Sequence, residues 1–166
     1  VRLAVKQASG DKITLQYGEC INDKNEIDYK GMENPRFYPD KRFQIDEFIC
    51  SGNEDIWTPL FSYHGFRYIS VTGLTNPDKH TLTALFVHED IERRSGFECS
   101  DENLNKLYKM GIMATYSNLF YMPTDCPTRE KLGWMNDAQG TAEQMLTNFE
   151  VERMYKKWWQ DILDAM

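Results

Sequence analysis

The sequence lacks three features that would assign it to a class at once: an excess of basic charge, a long apolar run and a closely spaced cysteine pair. Its 19 lysines and arginines are outnumbered by 26 aspartates and glutamates, which gives a net charge of -7. This negative charge disfavours nucleic acid and anionic membrane surfaces as partners. No segment approaches the roughly 18 consecutive apolar residues of a membrane-spanning helix. A neutral ligand is the easiest partner to reconcile with this composition.

The cysteines are few and widely spaced. The four positions, Cys20, Cys50, Cys99 and Cys126, form no CxxC pair and have no histidine at zinc-ligand spacing. We therefore expect no metal site. Four cysteines would allow two disulfides, but 41% of the residues are hydrophobic and 13% are aromatic, which is enough to build a core without cross-links. Free thiols are the favoured prediction.

The length of 166 residues suits one ordinary domain, or one small domain and part of another. The chain begins at Val1 within a strand-like alternation and ends at Met166 within a helical pattern. No glycine or proline follows that would cap the last helix. We interpret the sequence as a segment of a larger protein.

The first part of the chain, up to about Glu98, has the punctuation of β structure, because short alternating runs are separated by polar turns. The predicted strands are residues 2–6, 12–19, 42–49, 57–63, 66–72 and 81–87. Residues 9–11 fit a hairpin turn, and residues 75–78 fit a loop between two later strands. The polar region 22–40 is expected to wrap the surface. Regularly spaced strands of this kind most often form a sandwich.

The apolar spacing changes to a helical period at Ser100, which we predict as the N-cap of a helix that ends near residues 118–120. A second helix is predicted from Asp137 or Ala138 through Leu146, and a third after Asn148. The chain is thus predicted to be α+β, with an antiparallel β-sandwich over residues 1–98 and helices over residues 99–166. Each helix is apolar over more surface than one neighbour covers, so we expect further helices in the parent protein and possible self-association through the exposed faces.

A loop between the first two predicted helices carries the densest group of reactive side chains. Prolines and a glycine interrupt any continuous helix there, and the reactive residues are Asp125, Arg129, Glu130, Trp134 and Asp137. A carboxylic acid, further carboxylates for hydroxyl groups and a flat apolar face are the ingredients of a sugar-cleaving pocket. Structural interpretations stay open, with Asp125 as a turn residue, Glu130 as a surface charge, Asp137 as a helix cap and Trp134 as core packing.

Three separated motifs resemble the bacterial α-L-rhamnosidases of glycoside hydrolase family 78. They are residues 122–130 with the following 132–134 and 137–139, the upstream run 61–69 with Gly73, and the junction 96–100. The resemblance implies a β-sandwich followed by the first helices of a catalytic (α/α)6 toroid. It also implies an inverting hydrolase that releases terminal α-L-rhamnose from glycosides or polysaccharides and requires no cofactor.

The same resemblance assigns roles within the loop. Glu130 matches the general acid, whereas Asp125, Arg129, Trp134 and Asp137 match residues that bind the sugar. Neighbouring carboxylates and the indole would favour the protonated form of Glu130, and we expect Arg129 to pair with Asp125 or Asp137. The family's general base lies beyond Met166. The chain by itself is therefore expected to be inactive.

Other functions are compatible with the same sequence. One is a carbohydrate-binding β-sandwich without catalysis, with its affinity at strand aromatics such as Trp57 and Tyr63. Another is a related toroid hydrolase with a different sugar preference. His64 has no second ligand at metal-binding spacing and is interpreted as structural. The N-terminus does not resemble a secretory signal, so a soluble protein of the bacterial cytoplasm or periplasm is expected, with the compartment open.

Overall fold

The computed structural model describes residues 1–32, 36 and 42–166. Its contacts divide the chain into two compact units, Val1–Phe86 and Val87–Met166. The first unit contains antiparallel strands and the second contains three helices, so the predicted α+β class is confirmed. The predicted boundary between two functional domains, at residues 98 and 99, stays a prediction.

The first unit is built from two three-stranded antiparallel sheets and a two-stranded one. The strands are β1 (Arg2–Lys6), β2 (Lys12–Gly18), β3 (Cys20–Ile21), β4 (Ile27–Asp28), β5 (Ile45–Ile49), β6 (Glu54–Trp57), β7 (Tyr68–Thr72) and β8 (Leu82–Thr83). β1 lies between β6 and β8, whereas β2 lies between β5 and β7. β3 pairs with β4.

The core of this unit follows from the alternation of β2. Ile13, Leu15 and Tyr17 are fully buried, because every second side chain of a strand points to the same face. They form one cluster with Leu3 of β1 and with Cys50. Residues from the central strands of both three-stranded sheets thus share one core, as the predicted sandwich requires.

Two local predictions in this unit are wrong. The turn at residues 9–11 forms, with Gly10 at φ 89°, but β1 and β2 belong to different sheets and make no hairpin. The strand predicted over residues 57–63 ends at Trp57, and Pro59, which has no N–H to donate to a sheet, follows two residues later. The polar region 22–40 contains β4, and its residues 33–35 and 37–40 lie outside the described residues.

The second unit contains α1 (Glu102–Ser117), α2 (Met135–Asn148) and α3 (Glu152–Asp164). The N-cap of α1 is Asp101 rather than Ser100, since the Asp101 carboxylate accepts from the backbone N–H of Asn103 at 2.8 Å. α2 begins two residues before Asp137, with Trp134 as its N-cap residue. Asp137 therefore lies in the first turn, where its charge complements the helix dipole, and does not cap the helix.

The helices share a core of six buried side chains, which are Ile112, Leu119, Met145, Phe149, Val151 and Met154. The segment before α1 joins this unit, because the Arg94 N–H donates to the Asn148 carbonyl and the Glu89 N–H donates to the Leu119 carbonyl. Trp158 is buried, whereas Trp159 is 58% exposed, as its position off the apolar stripe predicts. No helix of the described residues is both long and apolar enough to cross a bilayer.

Candidate active site

The loop that connects α1 to α2 is closed by Asp125. Its backbone N–H donates to the Leu132 carbonyl at 3.0 Å, and its Oδ1 accepts from the Leu132 N–H at 2.9 Å. One residue therefore satisfies both backbone groups of a residue seven positions later, as aspartate often does in irregular segments. The interpretation of Asp125 as a turn residue is therefore correct for its Oδ1 atom.

Two further contacts fix the shape of the loop. Thr124 is 6% exposed and ties the start of the loop to the end of α1, because its N–H and its hydroxyl both donate to the Asn118 carbonyl. Near the other end, a Cβ on Gly133 would lie 2.6 Å from the Met122 sulfur. Glycine thus lets the loop pack directly against Met122. No spacing pattern predicts the role of Thr124, because it depends on the carbonyl of Asn118 at the end of the preceding helix.

Glu130 lies inside this closed loop and is largely withdrawn from solvent, with its side chain 16% exposed. The Trp134 indole Nε1–H donates to Glu130 Oε2 at 2.9 Å. The Glu130 backbone N–H donates to the Cys126 sulfur at 3.1 Å. Cys126 therefore acts as a hydrogen-bond acceptor that shapes the turn. Glu130 is not a solvated surface charge.

The predicted pairing of Arg129 with an aspartate is wrong. Arg129 Nη2 lies 3.4 Å from Glu130 Oε1, and the Arg129 side chain is 48% exposed. A cation and an indole N–H therefore face the two oxygens of one carboxyl group. Adjacent residues are brought together because residues 127–130 form a tight turn and Lys131 adopts φ 57° directly after it.

Trp134 and Asp137 leave the loop at the start of α2. Trp134 is 47% exposed, so its ring is not core packing, and its N–H edge is directed to Glu130. Asp137 is exposed in the first helical turn. The structure thus brings Arg129, Glu130 and Trp134 into direct contact, whereas the side chains of Asp125 and Asp137 make no hydrogen bond or ion pair with these three residues.

A cavity of about 350 Å³ lies elsewhere in the second unit, between α1 and α2, and none of the predicted site residues lines it. Its walls are Phe97, Leu104, Leu107, Tyr108, Gly111, Gln144 and Asn148. Among the residues that the structure describes, no group of three or more histidine, cysteine, aspartate or glutamate side chains is arranged to hold a metal ion. All four cysteines are free thiols.

A second carboxylate cluster lies in the β unit, around Asp46 of β5. Tyr17 donates to Asp46 Oδ2 at 2.9 Å, Ser62 donates to Oδ1 at 3.2 Å, and His64 Nε2 lies 3.1 Å from Oδ1. The His64 ring stacks on Tyr17 with 4.3 Å between centroids, and its Nδ1 is 2.8 Å from Gln44 Oε1. His64 is thus a buried structural residue, as the sequence predicts.

The electrostatics of this cluster favour a charged Asp46. Burial alone would raise the pKa of Asp46, but hydrogen bonds from His64, Tyr17 and Ser62 together hold it below its ordinary value. Burial and the neighbouring Asp46 carboxylate raise the pKa of Tyr17, which keeps its hydroxyl a donor. The cluster is therefore a mostly buried polar network of the β core.

Comparison with known proteins decides the family. The bacterial α-L-rhamnosidase concanavalin-like domain matches residues 1–88, and the bacterial α-L-rhamnosidase 6 hairpin glycosidase domain matches residues 92–166. The chain belongs to the bacterial α-L-rhamnosidase family. The resemblance carried by the three sequence motifs is confirmed, and so is the β-sandwich followed by the first helices of a helical toroid.

Named relatives agree along the sequence. An α-L-rhamnosidase of Formosa agariphila is 41% identical over 125 residues, which are 74% of this chain and 13% of the relative. The α-L-rhamnosidase of Streptomyces avermitilis is 30% identical over 99% of this chain and 16% of its own length. The chain thus spans less than a fifth of these rhamnosidases.

Solved rhamnosidases have the same fold in this region. The structure of the α-L-rhamnosidase from Dictyoglumus thermophilum matches with a TM-score of 0.86 and 32% identity over 99% of this chain and 18% of that one. The Streptomyces avermitilis α-L-rhamnosidase, solved in complex with L-rhamnose, matches with a TM-score of 0.83 and 30% identity, covering 99% of this chain and 16% of that one.

Proposed function

We propose that this chain supplies the general-acid side of the active site of an inverting α-L-rhamnosidase, with Glu130 as the acid. The observation that carries the proposal is the environment of the Glu130 carboxyl group. Its side chain is only 16% exposed, and it is held between a cation and an indole on a loop that is closed by hydrogen bonds. Glutamate side chains that only face solvent are mostly exposed, whereas this one is mostly buried and has two polar partners.

The reaction that fits this environment of Glu130 is hydrolysis of a terminal α-L-rhamnoside. Glu130, in its protonated form, gives its proton to the glycosidic oxygen as the bond to the anomeric carbon breaks. Water attacks the opposite face of the sugar, with a second carboxylate as general base about 6.5–9.5 Å away. The family resemblance puts that base outside this chain. The chain by itself is then inactive, because the acid alone cannot deliver the water.

Four neighbouring residues would bind the sugar. Arg129 and Trp134 already contact the acid, and the half-exposed indole face suits an apolar face of a deoxyhexose ring. Asp125 and Asp137 offer carboxylates to sugar hydroxyls. The substrate class is a rhamnose-containing glycoside or polysaccharide, and the chemistry calls for no cofactor.

The test is Glu130→Gln in the full-length protein that contains this sequence, assayed with an aryl α-L-rhamnoside. Removal of a general acid lowers kcat by about 10²–10⁴-fold, so a loss in that range is expected with little change in KM. Glu143→Gln on the exposed side of α2 is the matched control and should retain full turnover. Undiminished turnover by Glu130→Gln would remove this residue from the acid role.

We also propose self-association of the isolated 166-residue chain. Leu104 and Leu107 on α1 and Trp159 on α3 are 48%, 63% and 58% exposed, which is a large apolar area for one small unit. Size-exclusion chromatography at several concentrations should show the elution volume falling as concentration rises. A concentration-independent monomer would contradict this.

A further inference from the structure

The two oxygens of the Glu130 carboxyl group have different neighbours. Oε2 accepts the indole N–H of Trp134 at 2.9 Å, which is a hydrogen bond of ordinary length. Oε1 lies 3.4 Å from Arg129 Nη2, at the outer limit of such a contact. The group is therefore asymmetric before any ligand binds.

The asymmetry determines where a proton can reside. An indole N–H is a donor only, so the oxygen that it contacts must act as an acceptor. In a protonated carboxyl group the carbonyl oxygen is the better acceptor, and the hydroxyl oxygen carries the proton. Trp134 therefore holds Oε2 as the carbonyl oxygen and leaves the proton to Oε1.

We propose that Trp134 is a positioning residue that makes Oε1 the proton-donating oxygen of Glu130, an inference that rests on the proposed function. The Arg129 side chain is about half exposed and its contact with Oε1 is long, so Oε1 is the oxygen that is open to a ligand.

The catalytic step balances with this assignment. The proton on Oε1 passes to the glycosidic oxygen, the bond between that oxygen and the anomeric carbon breaks, and the aglycone leaves as an alcohol. Water adds hydroxide to the anomeric carbon and loses its other proton to the general base. Glu130 remains as a carboxylate whose Oε2 still accepts from Trp134, and solvent returns the proton.

Contacts of the loop hold the Glu130 and Trp134 side chains in position relative to each other. The Glu130 backbone is held by the Cys126 sulfur at 3.1 Å, and Leu132, midway to Trp134, is held by Asp125. The chain beyond it packs through Gly133 against Met122. Hydrogen bonds of this kind fix a catalytic carboxyl group to the fraction of an ångström that proton transfer needs.

The experiment removes the N–H and keeps the ring. Trp134 in the full-length protein is replaced by benzothienylalanine, an isostere with sulfur in place of N–H, and by phenylalanine as a second variant. Each is assayed on a dinitrophenyl α-L-rhamnoside, whose leaving group needs no proton, and on an alkyl α-L-rhamnoside, whose leaving group needs one. Trp159→Phe, an exposed indole on α3, is the matched control.

The isostere should lower kcat on the alkyl rhamnoside by about tenfold, the equivalent of one hydrogen bond, and leave kcat on the dinitrophenyl rhamnoside within about twofold. KM should hardly change. An equal loss on both substrates, or a rise in KM alone, would show that Trp134 is only a wall of the sugar pocket. It would overturn the proposal.

Glu130→Gln, run alongside, separates the two levels of the argument. If it loses activity selectively on the alkyl rhamnoside and the isostere does not, the acid role stands and the role of Trp134 falls. If Glu130→Gln shows no dependence on the leaving group, or the unaltered protein cleaves neither substrate, the proposed function fails and this inference fails with it.

Discussion

Asp46 in the β unit and Glu130 in the helical unit are both mostly buried carboxylates beside an aromatic ring, yet they are held in opposite ways. The Asp46 side chain is 9% exposed, and its partners Tyr17, Ser62 and His64 lie 16 to 29 residues away in the sequence. Glu130 is 16% exposed, and its side-chain partners are the adjacent Arg129 and Trp134, four positions on.

This difference indicates that Asp46 stabilises the fold, whereas Glu130 is available to a ligand. Contacts between distant residues exist only when the unit is folded, so those of Asp46 contribute directly to stability. Contacts within one short loop change the folding equilibrium less, and both partners of Glu130 are about half exposed. The Glu130 group can therefore exchange partners with a substrate without unfolding the unit.

The largest expected effect is on stability. Asp46→Ala should lower the free energy of unfolding of the β unit by about 2–4 kcal/mol, because it leaves the Tyr17 hydroxyl and His64 without their buried partner. Urea unfolding followed through the NMR methyl signals of Ile13 and Leu15, which lie in that core, measures it.

Glu130→Ala is the matched measurement in the helical unit, followed through the methyl signals of Ile112. It should cost less than about 1 kcal/mol, since only a loose ion pair and one local hydrogen bond are lost, both to partners that are about half exposed. Equal losses in the two variants would erase the contrast between the two carboxylates.

The next largest expected effect is on activity. It concerns Asp125, which closes the loop through Leu132 and is also proposed to bind the sugar. Asp125→Asn keeps a carbonyl oxygen for the Leu132 N–H, so the loop should keep its shape. A neutral amide is a weaker partner for a sugar hydroxyl than a carboxylate, so kcat/KM of the full-length protein should fall by about tenfold.

Asp125→Ala separates the two roles because it also removes the acceptor for Leu132. Its loss of activity should exceed that of Asp125→Asn, and the isolated unit should become less stable. Wild-type kcat/KM in Asp125→Asn would mean that the carboxylate serves the loop alone, as its structural interpretation holds.

Features that repeat along the sequence were predictable, whereas partners that meet through folding were not. The alternation of β2 and the apolar stripe of α3 are regular in the sequence, and the structure buries Leu15 and Trp158 on those faces. The separation of β1 and β2 into different sheets was not, because a turn at Gly10 suits either arrangement. The same limit hid the partnership of Asp46 with His64.

The candidate site shows the same division. Its reactive residues were recognisable because they are crowded into one loop, but their pairing was not. Arg129 turns to Glu130 and not to an aspartate, since the positive φ of Lys131 and the closure at Leu132 are backbone features that composition does not encode. The edge contact of Trp134 with the acid was equally invisible, because sequence predicts that a ring is near but not which atom it presents.

The smallest expected effect is a pH dependence that tests the electrostatics of Asp46. Its pKa is lowered in the folded state, so its contribution to stability is complete above the unfolded pKa of about 3.9 and is lost as pH falls through the lower folded value. The difference in unfolding free energy between the wild type and Asp46→Asn should therefore be constant above about pH 5 and narrow progressively below it. The exposed Glu47, whose pKa is lowered by hydrogen bonds from Lys12 and Arg42, titrates in the same range but cancels in this difference. A difference that widens on acidification would mean that burial, and not hydrogen bonding, dominates at Asp46.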